Sequence, residues 1–222
     1  MIKFSKINQD GYIMENLTNY YLLARRAIKN EEYTDAISFY KTVLAYNPND
    51  WEANFYTNYA KIQLTDFNVL DEKIWDFGDV LYTIFSVLAK TPMPEEWKTD
   101  NILRCSRYVS VLLPETKDKY IDAQQEAFLN MNYAQSQYCT NQHCFNLLAC
   151  YRLCYCYCDA IEFYFTDNTI ILKDILELRK FLSDQHRHDH KSYFKPNNTE
   201  YSKEYLDENI SKLQKLSLKL NV

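Results

Sequence analysis

Apolar residues recur along most of the chain at the three- and four-residue spacing of a helical face, and no segment alternates convincingly at period two. Between Asn16 and Asp50 this pattern predicts two helices. The first places Tyr20, Leu23, Ala24, Ala27 and Ile28 on one side. After the polar break Asn30-Glu31-Glu32, the second carries Tyr33, Ala36, Ile37, Tyr40, Val43 and Leu44. It closes at Asn47-Pro48-Asn49-Asp50, because Pro48 cannot continue a helix and restricts the residue before it. Asp50 is a natural N-cap for a new run from Trp51, and a different helix follows over Asp71 to Ala89.

Beyond the break at Thr91-Pro92-Met93-Pro94, the expected helices are Glu95 to Leu113, a second opened by Pro114 and running to Tyr138, Asn141 to Phe165, and Thr169 to Ser183. His186 to Asn198 reads as a polar loop. The tail from Thr199 repeats apolar residues at Tyr205, Leu206, Ile210, Leu213, Leu216 and Leu220, an amphipathic helix with Thr199 or Asn198 as its N-cap. Such a helix suits the end of a stack, where one face is polar. The organisation expected is a tail over 1–15, helices over 16–90, a divergent helical region over 91–184, a His-rich loop over 185–198 and a capping helix over 199–222.

Composition narrows the function classes. The chain has 222 residues with 20 Tyr and 12 Phe but only 2 Gly, so neither glycine-rich phosphate-binding loop can be written in it. Five Pro and no Asn-Gly disfavour the many turns of an all-β fold, and 47% hydrophobic content excludes wholesale disorder. The net charge is −5 and the basic residues are scattered, so no nucleic-acid partner is expected. The most apolar stretch, Phe145 to Phe165, carries Arg152, Asp159 and Glu162, so no membrane association is expected. With no export signal, the seven Cys are expected as reduced thiols in a cytoplasmic protein.

Residues 17–50, about the length of one tetratricopeptide repeat, resemble that repeat. Tyr20 falls at its large aromatic position, Leu23 at its Leu, and Ala24 and Ala36 at its small positions, where the helices approach closely. Tyr33, Tyr40 and Pro48 fall at the tyrosine of the second helix, the packing aromatic and the closing proline. The chain departs with Tyr20 for Trp, Ala24 for Gly and Val43 for Ala. Residues 51–84 repeat the pattern only in part, since Thr57 and Asn58 stand where Leu and Gly belong. Over residues 19–60 the sequence is also similar to a group of bacterial repeat proteins in which one such repeat leads into a long degenerate helical region. The fold implied is all-α: a tetratricopeptide-like hairpin continuing into a degenerate solenoid or bundle.

That resemblance implies a concave groove for a protein or peptide partner. In its register Tyr21, Arg25 and Lys29 face the groove from the first helix, and Phe55, Tyr56 and Tyr59 from the helix that follows. The expected function is a non-catalytic scaffold or adaptor without cofactor, in which the aromatic residues anchor the partner and Arg25 and Lys29 supply charge. A homo-oligomer whose groove is filled by a neighbour's C-terminal helix is a further reading.

Two clusters invite a chemical reading. Cys139, His143, Cys144, Cys150, Cys154, Cys156 and Cys158 include zinc-ligand types. However, Cys150, Cys154 and Cys158 fall at i, i+4 and i+8 of one helix, the stripe that small hydrophobes form in a core. The run His186-Arg187-His188-Asp189-His190 is the sharpest local signal and underlies the alternative, a metal-dependent hydrolase using His186, His188, Asp189 and His190.

Overall fold

The structure, a computed structural model, describes residues 17–194 and 201–222, and among them the regular elements are helical with no strand. The protein is all-α. It divides into two compact units with the boundary between Thr65 and Asp66.

The first unit contains α1 (17–29), α2 (Tyr33–Tyr46) and α3 (Trp51–Gln63). Ala24, Ala27, Ile28, Ala36, Tyr40 and Val43 are buried as the helical spacing implies, whereas Leu23, placed on the same face by its spacing, is exposed. The turn between α1 and α2 is closed by Glu31 in left-handed backbone, φ 62°. The Glu32 amide donates to the Ala27 carbonyl at 2.9 Å and the Glu31 amide to the Ile28 carbonyl at 3.2 Å. These two bonds make the paired closure typical of a helix C-terminus. At the start of α3, Asp50 Oδ1 accepts the Ala53 amide at 2.8 Å, as the sequence implied. The Tyr40 and Tyr56 rings stack 5.9 Å apart between α2 and α3.

The second unit contains a short 3₁₀ turn (Phe67–Val69), α4 (Leu70–Lys90), α5 (Glu95–Leu129), α6 (Tyr133–Tyr164), α7 (Thr169–Asp189), a π-helical turn (His190–Phe194) and α8 (Tyr201–Leu220). The central element is α6, which packs against α4, α5 and α7, while α8 lies on α7. Leu147, Cys150, Tyr151, Leu153, Cys154, Tyr157, Cys158 and Ile161 are all buried along it, so α6 is apolar nearly all round rather than striped. Two of its buried polar side chains bond to neighbouring elements: Tyr157 donates to the Ile102 carbonyl at 3.0 Å, and Asn146 donates to the Phe67 carbonyl at 2.9 Å and accepts the Asp71 amide at 3.1 Å.

Three sequence expectations are corrected. Pro114 does not open a helix; it lies within α5, exposed, while the buried Leu112, Leu113 and Thr116 beside it carry the helix through. The break falls instead at Asn130-Met131-Asn132. Residues 70–90, grouped by sequence with the first helices, form α4 and pack on α6. The expected loop begins too early, because residues 185–189 complete α7 and His190–Phe194 form the π-helical turn. The expected tail over 1–15 and N-cap at 198 or 199 lie outside the described residues.

Candidate functional site

In the first unit the six residues assigned to a groove have divergent placements. Arg25 forms a two-pronged pair with the buried Glu52, Nε to Oε1 and Nη2 to Oε2, both at 2.6 Å. The hydrogen bond to Glu52 pushes the Arg25 pKa up, so its charge is fixed. Tyr40 also donates to Glu52 Oε1, at 3.1 Å. The Tyr21 hydroxyl donates to Asp50 Oδ2 at 2.5 Å; burial first, and then that carboxylate, raise its pKa. Phe55, Tyr56 and Tyr59 are buried, with Tyr56 stacked on Tyr40 and Tyr59 edge-on to Tyr33 at 6.1 Å. These three rings therefore offer no exposed face, which corrects their assignment as open anchors. Tyr21 and Arg25 join α1 to the start of α3. Lys29 stays exposed, together with Leu22, Leu23 and Arg26 on α1.

The His186–His190 run is not a converging set of ligands. On α7, His186 and Asp189 point inward and are buried, while Arg187 and His188 are exposed. The two ring nitrogens of His186 face the Tyr155 hydroxyl and the Ser202 hydroxyl, each at 2.9 Å. Burial lowers its pKa to about 4, which keeps the ring neutral near pH 7. Asp189 accepts the Tyr151 hydroxyl at 2.6 Å and pairs with Lys117 at 2.8 Å. This network joins α5, α6, α7 and α8. The cysteine stripe is likewise internal: Cys150, Cys154 and Cys158 are fully buried, and burial pushes the Cys158 thiol up to about 12. Among the described residues no group of three or more His, Cys, Asp or Glu is arranged to hold a metal ion.

A small cleft of about 180 Å³ is lined by Arg152, Asp159, Arg179, Glu208 and Lys212, among others. Most of its charges are paired. The buried Arg179 donates to Asp159, Glu162 and Asn209, each at 2.5 Å, and Lys212 pairs with Asp159 and Glu208. Arg152 pairs with Asp79 and stands 3.9 Å from the Trp75 ring centre.

The feature that sequence reasoning missed is a second helical hairpin, built by the end of α5 and the start of α6. Its turn repeats the first one. Met131 is left-handed, φ 49°, the Asn132 amide donates to the Ala127 carbonyl at 3.0 Å, and the Met131 amide to the Phe128 carbonyl at 2.9 Å. The signal was present as Ala-x-x-Asn-x-x-Tyr at 27–33 and again at 127–133. Its seam is polar: Gln124 donates to the Ser136 carbonyl at 2.9 Å and to Thr140 Oγ1 at 3.0 Å, and Ser136 donates back to Gln124 Oε1 at 2.7 Å. At the tip Phe128, Leu129, Met131 and Tyr133 are 79–89% exposed. Ile121, Tyr138 and Phe145 are also exposed on the same hairpin. Single exposed apolar residues are common on protein surfaces, whereas here four large ones fall within six residues of one hairpin tip.

No helix among the described residues is long and apolar enough to cross a membrane. Comparison with known protein families, with curated proteins and with solved structures finds no match to this chain.

Proposed function

We propose that the chain is a non-catalytic scaffold that holds a protein partner on a helical-hairpin surface, as its resemblance to tetratricopeptide repeats implies. The observation that carries this reading is the hairpin tip at 128–133. Four adjacent large apolar side chains there stand in water, where burying one of them against a partner would contribute about 1.5–3 kcal/mol. The buried His186 and Asp189 are both taken up by hydrogen bonds that join helices. The first hairpin supports a lesser contact surface, Leu22, Leu23, Arg26 and Lys29, because the aromatic rings assigned to its groove are interior.

The test is site-specific photo-cross-linking in cells producing the full chain, with benzoylphenylalanine placed at Tyr133 or at Lys29. Adducts with another polypeptide are expected from position 133, with fewer from position 29. A chain that cross-links from neither position would contradict the scaffold reading.

A further inference from the structure

Resting on that scaffold reading, we infer that the hairpin of α5 and α6 docks a basic amphipathic helix, its apolar side chains seated on the 128–133 tip and its Lys or Arg residues meeting an acidic stripe on α5. The stripe is Asp118, Asp122 and Glu126, spaced at i, i+4 and i+8, and all three are exposed. This spacing places them along one side of the helix, beside the exposed Ile121 and leading to Leu129 at i+11. From Tyr120 to Tyr151 the chain holds no Lys or Arg, so the field over the hairpin is set by Asp122 and Glu126 with Asp118 next to them. Of the two cations that flank Asp118, Lys117 is held by Asp189 and Lys119 is half-buried. Between Gln124, Gln125, Phe128 and Leu129 lies an open depression of about 440 Å³, wide enough to receive apolar side chains.

The charge decides among occupants. An anionic lipid surface would be repelled by Asp122 and Glu126, with no Lys or Arg between residues 120 and 151 to offset them. A second copy of the same hairpin would bring two acidic stripes together. A helix with leucine-like residues recurring every three to four positions and flanked by Lys or Arg satisfies both surfaces at once, the mode in which an amphipathic helix lays its apolar face on a hydrophobic surface. The apolar contacts would govern dissociation, and the rim carboxylates would govern association rate and its salt dependence.

The test uses the full chain and two fluorescent synthetic peptides of matched leucine spacing, one Leu/Lys and one Leu/Glu, read by anisotropy. Saturable binding of the Leu/Lys peptide and none of the Leu/Glu peptide is expected. Phe128→Ser and Met131→Gly should each weaken the Leu/Lys peptide by about tenfold or more. Asp122→Lys with Glu126→Lys should slow association and flatten its salt dependence. Met131→Gly keeps the left-handed turn, and circular dichroism on each variant confirms that the helices remain. Binding that ignores these substitutions, equal binding of the Leu/Glu peptide, or no binding would overturn the inference. Co-sedimentation with phosphatidylcholine/phosphatidylglycerol vesicles that Phe128→Ser abolishes would overturn it in favour of lipid. A dimer seen by light scattering and lost in the same variant would overturn it in favour of self-association. Failure of the peptide with persistent cross-linking from position 133 would remove the basic-helix partner while leaving the scaffold standing. Failure of both would remove both.

Discussion

The two helical hairpins differ mainly in what fills and covers a turn of the same geometry. Both close on a left-handed residue without glycine, Glu31 and Met131, with the same pair of amide-to-carbonyl bonds. In the first, the seam is small and apolar: Ala24 and Ala36 are buried and Tyr40 fills the space beyond them. In the second, the positions 100 residues further on are Gln124, Ser136 and Thr140, which hydrogen-bond to one another across the seam. In the first hairpin Tyr33 meets Tyr59 of α3, whereas its counterpart Tyr133 is exposed. The lesson is that the turn bonds and the inward-facing pattern set the backbone. The tip side chains are then free to be polar, as at Lys29 and Glu31, or apolar, as at their counterparts Leu129 and Met131.

Substitutions at matched positions test that contrast. The largest effect is expected from Tyr40→Ala, which removes a fully buried ring stacked on Tyr56 and a donor to Glu52. It should destabilise the first unit by about 3–5 kcal/mol. Thr140→Ala at the matching place should cost only about 1 kcal/mol, because one hydrogen-bond partner of Gln124 is lost and no cavity forms. Denaturant unfolding followed separately for the two units measures both. Equal losses would contradict the division into an apolar and a polar seam.

Acid should act on the second hairpin through a buried histidine. Where the first has the buried Val43, the second has His143, stacked on Tyr120 at 3.9 Å and buried with neither ring nitrogen hydrogen-bonded. Burial lowers its pKa to about 4, below the ordinary histidine value near 6.5. The unfolded chain therefore binds the proton more readily between those values, and stability should fall as pH drops from about 6.5 to about 4. The loss is at most about 3 kcal/mol for this residue, and His186 acts in the same direction. His143→Phe should remove its share of the pH dependence without lowering stability at pH 7. An unchanged unfolding profile between pH 7 and pH 4.5 would show that the ring is not held neutral in the core.

Smaller effects come from exchanging seam chemistry. Gln124→Ala should cost about 1–2 kcal/mol by leaving the Ser136 hydroxyl and Thr140 without their partner. The reciprocal Ala24→Gln should cost about 1–3 kcal/mol through overpacking of a fully buried site. Smallest is Glu31→Gly or Met131→Gly, which relieves a left-handed non-glycine residue and should raise stability by about 1 kcal/mol or less. Calorimetric melting of each variant distinguishes these signs.

The contrast also explains what was legible in the sequence. The helices of residues 17–63 could be read because their inward residues are apolar at helical spacing and because Pro48 and Asp50 mark a stop and a start. The second hairpin could not be read the same way. Its seam is built from Gln124, Ser136 and Thr140, which look like surface residues until they are seen bonded to one another. Its turn, Asn130-Met131-Asn132, carries none of the charge that marks the break at Asn30-Glu31-Glu32, while Pro114, a strong sequence signal, sits inside a continuous helix. The end of α7 was misread for a similar reason. His186 and Asp189 are three residues apart and face inward, but a pattern of apolar positions does not register buried polar groups. The groove assignment failed in the opposite sense, since Phe55, Tyr56 and Tyr59 are apolar enough to be either anchors or core, and the structure buries them.

The most direct test of the contrast is hydroxyl-radical footprinting of the full chain, alone and with the Leu/Lys peptide, read residue by residue. In the free chain Phe128, Met131 and Tyr133 should be modified rapidly and Tyr40 and Tyr56 slowly, as their exposure requires. With the peptide, protection should appear at 128–133 and not at Tyr33 or Leu22. Slow modification of the free tip, or protection confined to the first hairpin, would contradict the assignment of the second hairpin as the docking surface.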